Sequence, residues 1–283
     1  MSRMETTALT QLVQSAEGAG YTLPTELLDA YATYHRVKAL EVPEPAVLDA
    51  EGAASRIVSA TAAGETVDLI AAACQWERAT RDTQTASQAQ MLVNAATEQA
   101  AHLAAGLADT LTEQIITEHL RPALEAVYAK TREVAAALEG YGLDPHTLVT
   151  APTKARSAYA ALPGLVTRRQ MIYTARRLVN ALGYRKPQHD VNGLFAELAD
   201  PMALSPTWRP PMAVPQIPAP TDPTERLLWI VTDAAAPAKP WLPTVEEQDE
   251  AWWAQFGDAV DNMAQRHRDG LAIGARAPIG ALT

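Results

Sequence analysis

Between Thr66 and Pro122 the chain contains no other proline, and Gly106 is its only glycine. Ala, Gln, Glu, Leu and Thr dominate that stretch. Fifty-odd positions of good helix formers without a breaker predict helix. At about 1.5 Å per residue such a helix would reach about 80 Å, too long for the core of one compact domain. Two readings are therefore open, one long helix or a close hairpin reversing within Arg81-Asp-Thr-Gln-Thr-Ala-Ser-Gln.

Composition supports helix beyond this stretch. The 283 residues include 56 Ala but only 29 Leu, 17 Val, 9 Ile and 2 Phe. Strand-forming residues are scarce, and an Ala-rich, Phe-poor chain buries apolar area through close helix contacts. The expected class is all-α: long Ala-rich helices, as a hairpin or bundle, with short flanking helices and an extended C-terminal arm rich in Pro and Trp. Four zones are predicted, 1-64, 65-143, 144-200 and 201-283. Cys74, the only cysteine, excludes an intrachain disulfide and reads as a small core residue.

In the first zone Pro24 suits the start of a helix carrying Leu27, Leu28, Tyr31 and Tyr34, and a second helix is expected from about Ala46 to Ala63. In the second zone one apolar stripe runs through Leu92, Ala96, Ala100, Leu103, Leu107, Leu111, Ile115 and Leu120 to Leu138, twelve steps over 46 residues. The mean step of about 3.8 excludes a strict leucine zipper and favours long, straight or slightly right-handed helices with Ala at their contacts. Leu92, Leu103, Leu107, Leu111 and Ile115 are the predicted self-association residues. Pro122 should kink or restart the helix, and Gly140-Tyr-Gly142 should end it.

From Pro145 to His189 there are eight Lys and Arg and no acid, in a chain of net charge -10. Thr167 is the expected N-cap of a helix ending at Leu182 before Gly183. Ile172, Ala175, Leu178, Val179 and Leu182 would share one face, and Arg169, Tyr173, Arg176 and Arg177 another. With Arg185 and Lys186 these four form a predicted anion or partner surface, open to an acidic protein segment, this chain's own included, or, across 154–186, to nucleic acid.

From Pro201 onward lie 12 of the 20 prolines and five of the six tryptophans. The run from Pro206 to Pro220 should be extended. Short helices are expected after Asp222-Pro223 and from Thr244, the second with a capping box, Thr244 to Glu247, and an apolar side of Trp252, Trp253, Phe256 and Val260. Trp208, Trp229, Trp241, Trp252 and Trp253 are the candidate arm anchors, because tryptophan is costly to leave wet and favoured at interfaces. The tail after Gly270 should be mobile in the isolated chain.

The sequence has no phosphate-binding glycine loop, no H-E-x-x-H and no G-x-S-x-G elbow. Glu98 with His102 reads as a helical ion pair and His189-Asp190 as part of a turn, so no catalytic, cofactor or metal residue is nominated. No basic start followed by an apolar run marks a secretory signal, and no stretch approaches the roughly 18 to 20 apolar residues of a membrane span. The expected setting is cytoplasm or an assembled particle.

Long Ala/Gln/Glu helices, a basic patch and a Pro/Trp arm in an acidic chain resemble virion or assembly proteins of tailed bacteriophages of high-GC hosts. That resemblance implies a non-enzymatic structural protein, homo-oligomeric and engaged with other assembly proteins, its arm docked on a neighbouring subunit. A nucleic-acid-associated helical regulator and an enzyme with an unrecognised helical site are the alternatives.

Overall fold

Most of the breaker-free stretch forms one continuous helix, Leu69–Thr110, with no reversal at Arg81 to Gln88. A computed structural model describes residues 3–44, 50–63, 65–66, 68–187, 193–205 and 217–257. Its fold is all-α, in the order α1 (Arg3–Ala19), α2 (Thr25–Lys38), α3 (Ala50–Ala62), α4 (Leu69–Thr110), α5 (Thr112–Gln114), a π turn (Ile115–Leu120), α6 (Arg121–Leu138), α7 (Pro145–Val149), α8 (Thr153–Leu182) and α9 (Pro223–Ile230). A further helix, α10, occupies 245–257. No strand occurs among the described residues, where one isolated bridge joins Leu198 to Pro240. The predicted arm over 206–216, Trp208 included, lies outside them, as do His189, Asp190, Val260 and the tail.

Within the described residues the chain divides into two compact units, one drawn from Met1–Thr6 and Thr25–Leu107, the other from Thr7–Pro24 and Ala108–Thr283. In the first, Leu27 and Tyr34 of α2 are buried, and so are Ala101, Ala104 and Ala105 of α4. Leu92 and Leu103, leucines of the predicted stripe, are instead 72% and 61% exposed. The fully covered positions of α4 are therefore alanines and not the predicted leucines. Cys74 is exposed, which corrects the core reading.

In the second unit the helix that follows α4 is broken twice. Leu111 leaves helical geometry (φ -92°, ψ 7°), and buried Thr112 donates through Oγ1 to Ala108 O at 3.0 Å. The π turn then precedes Pro122, with Arg121 N–H bonded five residues back to Ile116 O. Proline has no N–H to donate and its ring crowds the preceding turn, so widening ahead of Pro122 lets the chain remain helical into α6. Gly140 and Gly142, at φ 84° and 67°, carry the chain out of α6 as predicted.

α6 and α8 are the central pair. α6 presents Leu124, Val127, Tyr128, Val134 and Leu138, and α8 presents Ala155, Leu162, Leu165, Ile172, Ala175, Val179 and Leu182. This packing corrects the Thr167 reading. α8 begins at Thr153 and passes through Pro163, with Thr167 Oγ1 donating to Pro163 O at 2.9 Å from inside the helix. An interior proline costs about 3 kcal/mol of helix propensity, and burying Leu162 and Leu165 on either side offsets it. α1 meets α8 at Gly18, where a Cβ would lie 2.5 Å from Met171 Cε.

Tyr21 follows α1 and is buried, its hydroxyl 2.7 Å from Ser15 Oγ and 3.4 Å from Leu12 O. Burial pushes its hydroxyl up to about 12, outweighing the Ser15 hydrogen bond, which lowers it. The folded value lies above the unfolded one of 10.0, so this contribution to stability is complete below pH 10 and is lost as pH rises toward 12. Tyr21→Phe should flatten the loss of stability between pH 10 and 12 in urea titrations; an unchanged alkaline slope would contradict this.

Candidate functional site

The C-terminal segment and the basic zone meet. Pro240-Trp-Leu-Pro243 has no helix to use its carbonyl groups, and an extended Pro-flanked run leaves them facing outward. Three consecutive carbonyls are taken by side chains from elsewhere in the same unit. Tyr173 Oη donates to Trp241 O at 2.9 Å, Arg121 Nε to Leu242 O at 2.8 Å, and Arg176 Nε to Pro243 O at 2.5 Å. Side chains extend the clamp along α10. Arg176 Nη2 donates to Gln248 Oε1 at 2.5 Å, Arg121 pairs with Glu247, and Arg185 reaches Glu246 at 3.4 Å while its Nε holds Asp109 at 3.1 Å.

The capping box is present as expected. Thr244 N–H donates to Glu247 Oε2 at 2.8 Å and Glu247 N–H to Thr244 Oγ1 at 3.2 Å. Asp222 likewise caps α9, accepting from Thr224 and Glu225 N–H, with Pro223 in the first turn.

The basic face is therefore not a solvent-facing row. Arg169 and Arg176 are 7% and 4% exposed, Tyr173 and Arg185 are half-buried, and Arg177 and Lys186 are exposed. The side of α8 that carries Arg169, Tyr173 and Arg176 is covered by the chain's own Glu197 and 241–248, which helical periodicity alone does not reveal. Arg169 Nη2 lies 3.1 Å from Glu197 Oε1, and its guanidinium sits 4.9 Å above the Tyr173 ring. Arg226 donates to Glu197 Oε2 from Nε at 3.1 Å and Nη2 at 2.6 Å. Burial pushes the Tyr173 hydroxyl well above its ordinary value, and neighbouring Tyr128, 3.3 Å away, adds to that.

Arg169, Tyr173, Arg176, Arg177, Glu197 and Arg226 line a cleft of about 590 Å³ with Gln170, Thr174 and the 193–196 turn. Arg169 Nε is buried and has no hydrogen-bond partner. Arg121, Glu197, Arg226 and Gln248 take part in the clamp or the cleft without having been singled out from sequence. Glu197 and Arg226 are 29 residues apart, and no motif links them.

The other predicted residues divide between core and surface. Ile115 is fully buried, Leu107 and Leu111 are half-buried, and Leu92 and Leu103 are exposed. Trp241 is half-buried with Nε1 donating to Phe195 O at 3.0 Å, and Trp252 is buried against Phe195 and Phe256. Both pack inside their own unit, where the sequence reading had them as anchors for a neighbour. Trp229 is half-buried and Trp253 is 42% exposed. Among the described residues no group of three His, Cys, Asp or Glu is placed to hold a metal ion, and no helix is long and apolar enough to cross a membrane. Compared with known proteins, the chain matches no family model, no curated protein and no solved structure.

Proposed function

We propose that the chain is a non-enzymatic structural or assembly protein that self-associates through α4. The observation that carries this reading is the exposed apolar surface of a 42-residue helix. Met91, Leu92 and Leu103 are each more than 60% exposed, and Ile70 is 78% exposed. Leu92, Ala96 and Leu103 recur at intervals of four and seven, which places them on one face three turns long. Single exposed leucines are ordinary, but Leu92 and Leu103 bracketing Ala96 on one face of a long helix offer a contact surface. A symmetric pair of such helices covers both stripes at once.

The C-terminal segment supports a second contact of the same kind. Trp241 and Trp252 face inward, whereas Trp253, 42% exposed and in edge contact with Trp252, and half-buried Trp229 present aromatic surface from this segment to a neighbouring subunit or another assembly protein. A bacteriophage virion or head is one setting for such a protein.

The test is mass in solution by light scattering. Changing Met91, Leu92 and Leu103 together to Gln should convert an oligomer to a smaller species while circular dichroism stays helical, because these side chains are exposed in the single chain. A wild-type monomer at micromolar concentration, or an oligomer indifferent to the triple change, would remove α4 as the interface.

A further inference from the structure

We propose that the arginine cleft beside α8 binds a phosphate group, either free or carried on a small organic molecule. The proposal is independent of self-association and rests on what the cleft's cations leave unused. Each guanidinium has five N–H donors. Arg226 uses Nε and Nη2 on Glu197, which leaves Nη1. Arg169 is held on one side by Glu197 and beneath by the Tyr173 ring, and its buried Nε donates to nothing. Arg177 is exposed, and its hydrogen bond, from Nη2, goes to the neutral hydroxyl of Thr174 at 3.2 Å. Arg169, Arg176, Arg177 and Arg226 set against Glu197 give a formal charge of +3 on these walls.

A tetrahedral oxyanion accepts from several guanidinium donors at once, and the cleft gathers those of Arg177 and Arg226 beside the buried charge of Arg169. A phosphate offers more acceptor oxygens than a carboxylate, and guanidinium groups pair with it bidentately. Thr174 and Gln170 add neutral donors along the same stretch of α8. Gly193 borders the cleft at φ 71°, a conformation natural to glycine, and no atom lies within 4 Å of the position a Cβ would take, so that rim stays open.

Size and shape favour a small molecule over a polymer. A cleft of about 590 Å³ falls in the range of small-ligand sites, roughly 300 to 1,000 Å³. Leu194, Ala196 and the Tyr173 ring supply an apolar wall for an organic portion. The exposed Lys154, Arg156 and Arg168 of the same helix are not among the residues lining it.

The experiment is titration calorimetry on the full chain with inorganic phosphate and, separately, AMP, at fixed ionic strength. Saturable one-to-one binding is expected. Similar affinities would identify the free anion as the ligand, and tighter AMP binding a phosphomonoester. Arg177→Gln removes an exposed charge from the rim and should weaken binding about tenfold, the loss of one charge-assisted hydrogen bond. Arg156→Gln, an exposed change on the same helix away from the cleft, should leave it unchanged. No saturable binding of either probe, or equal weakening by the two substitutions, would overturn the proposal.

Discussion

Arg176→Ala should destabilise the protein by about 3 kcal/mol, the sum of two buried acceptors left without their donor. Arg176 is 4% exposed, with Nε on Pro243 O and Nη2 on Gln248 Oε1. Gln248 is fully buried, and Pro243 belongs to a segment with no ladder or helix to take its carbonyl back. Water reaches neither acceptor unless the 241–248 segment lifts away. The same substitution should therefore speed amide exchange in 241–248 far more than at buried Leu162 and Leu165 in the first half of α8. Tyr173→Phe, which removes a single bond to Trp241 O, should cost about 1 kcal/mol. Equal stabilities for wild type and Arg176→Ala in urea unfolding would mean that the clamp contributes nothing and that apolar packing alone holds the C-terminal segment.

The clamp also marks where sequence reading succeeded and where it stopped. Periodicity put Arg169, Tyr173 and Arg176 together on one side of a helix, and they do share a side. What covers that side comes from Glu197 and the Pro240 to Gln248 segment, and neither has a repeat that points back to α8. Arg169 meets Glu197 and Arg185 meets Asp109 and Glu246, while backbone carbonyls, invisible to any charge count, take up Tyr173, Arg121 and Arg176.

Capping chemistry was legible because it is local. Asp222 and Thr244 to Glu247 meet their partners within three residues. Thr167 misled for the complementary reason. As a local signal it suits a helix start, but α8 already runs from Thr153 through Pro163, with Leu162 and Leu165 buried on either side of the proline, a burial that propensity does not contain. In α4 the leucines stood out as the candidate contacts, yet Ala101, Ala104 and Ala105 turned inward. A hydrophobicity pattern treats both faces alike.

Phe256→Ala should lower stability by about 4 kcal/mol, within the range for removing a buried aromatic side chain and leaving its cavity. The chain has only two phenylalanines, and both are fully enclosed together. Their ring centroids are 6.0 Å apart at 83°, and Trp252 lies 5.5 Å from Phe256. Edge-to-face pairs of this kind add about 1 kcal/mol beyond the area they bury, so Phe195→Ala and Phe256→Ala should be non-additive in a double-mutant cycle. Trp253→Ala, one residue along α10 from buried Trp252, separates core from interface. At 42% exposure, with its ring in edge contact with Trp252, Trp253 should give up less on truncation in the single chain than Phe256, and its loss should register in oligomer mass if it meets a neighbouring subunit. Denaturant midpoints and light scattering on the two single variants distinguish the roles. Phe256→Ala should shift the first and Trp253→Ala the second. A Phe256→Ala midpoint equal to wild type would show that the aromatic cluster is peripheral, and that the stability of this unit resides in the α6 and α8 pair alone.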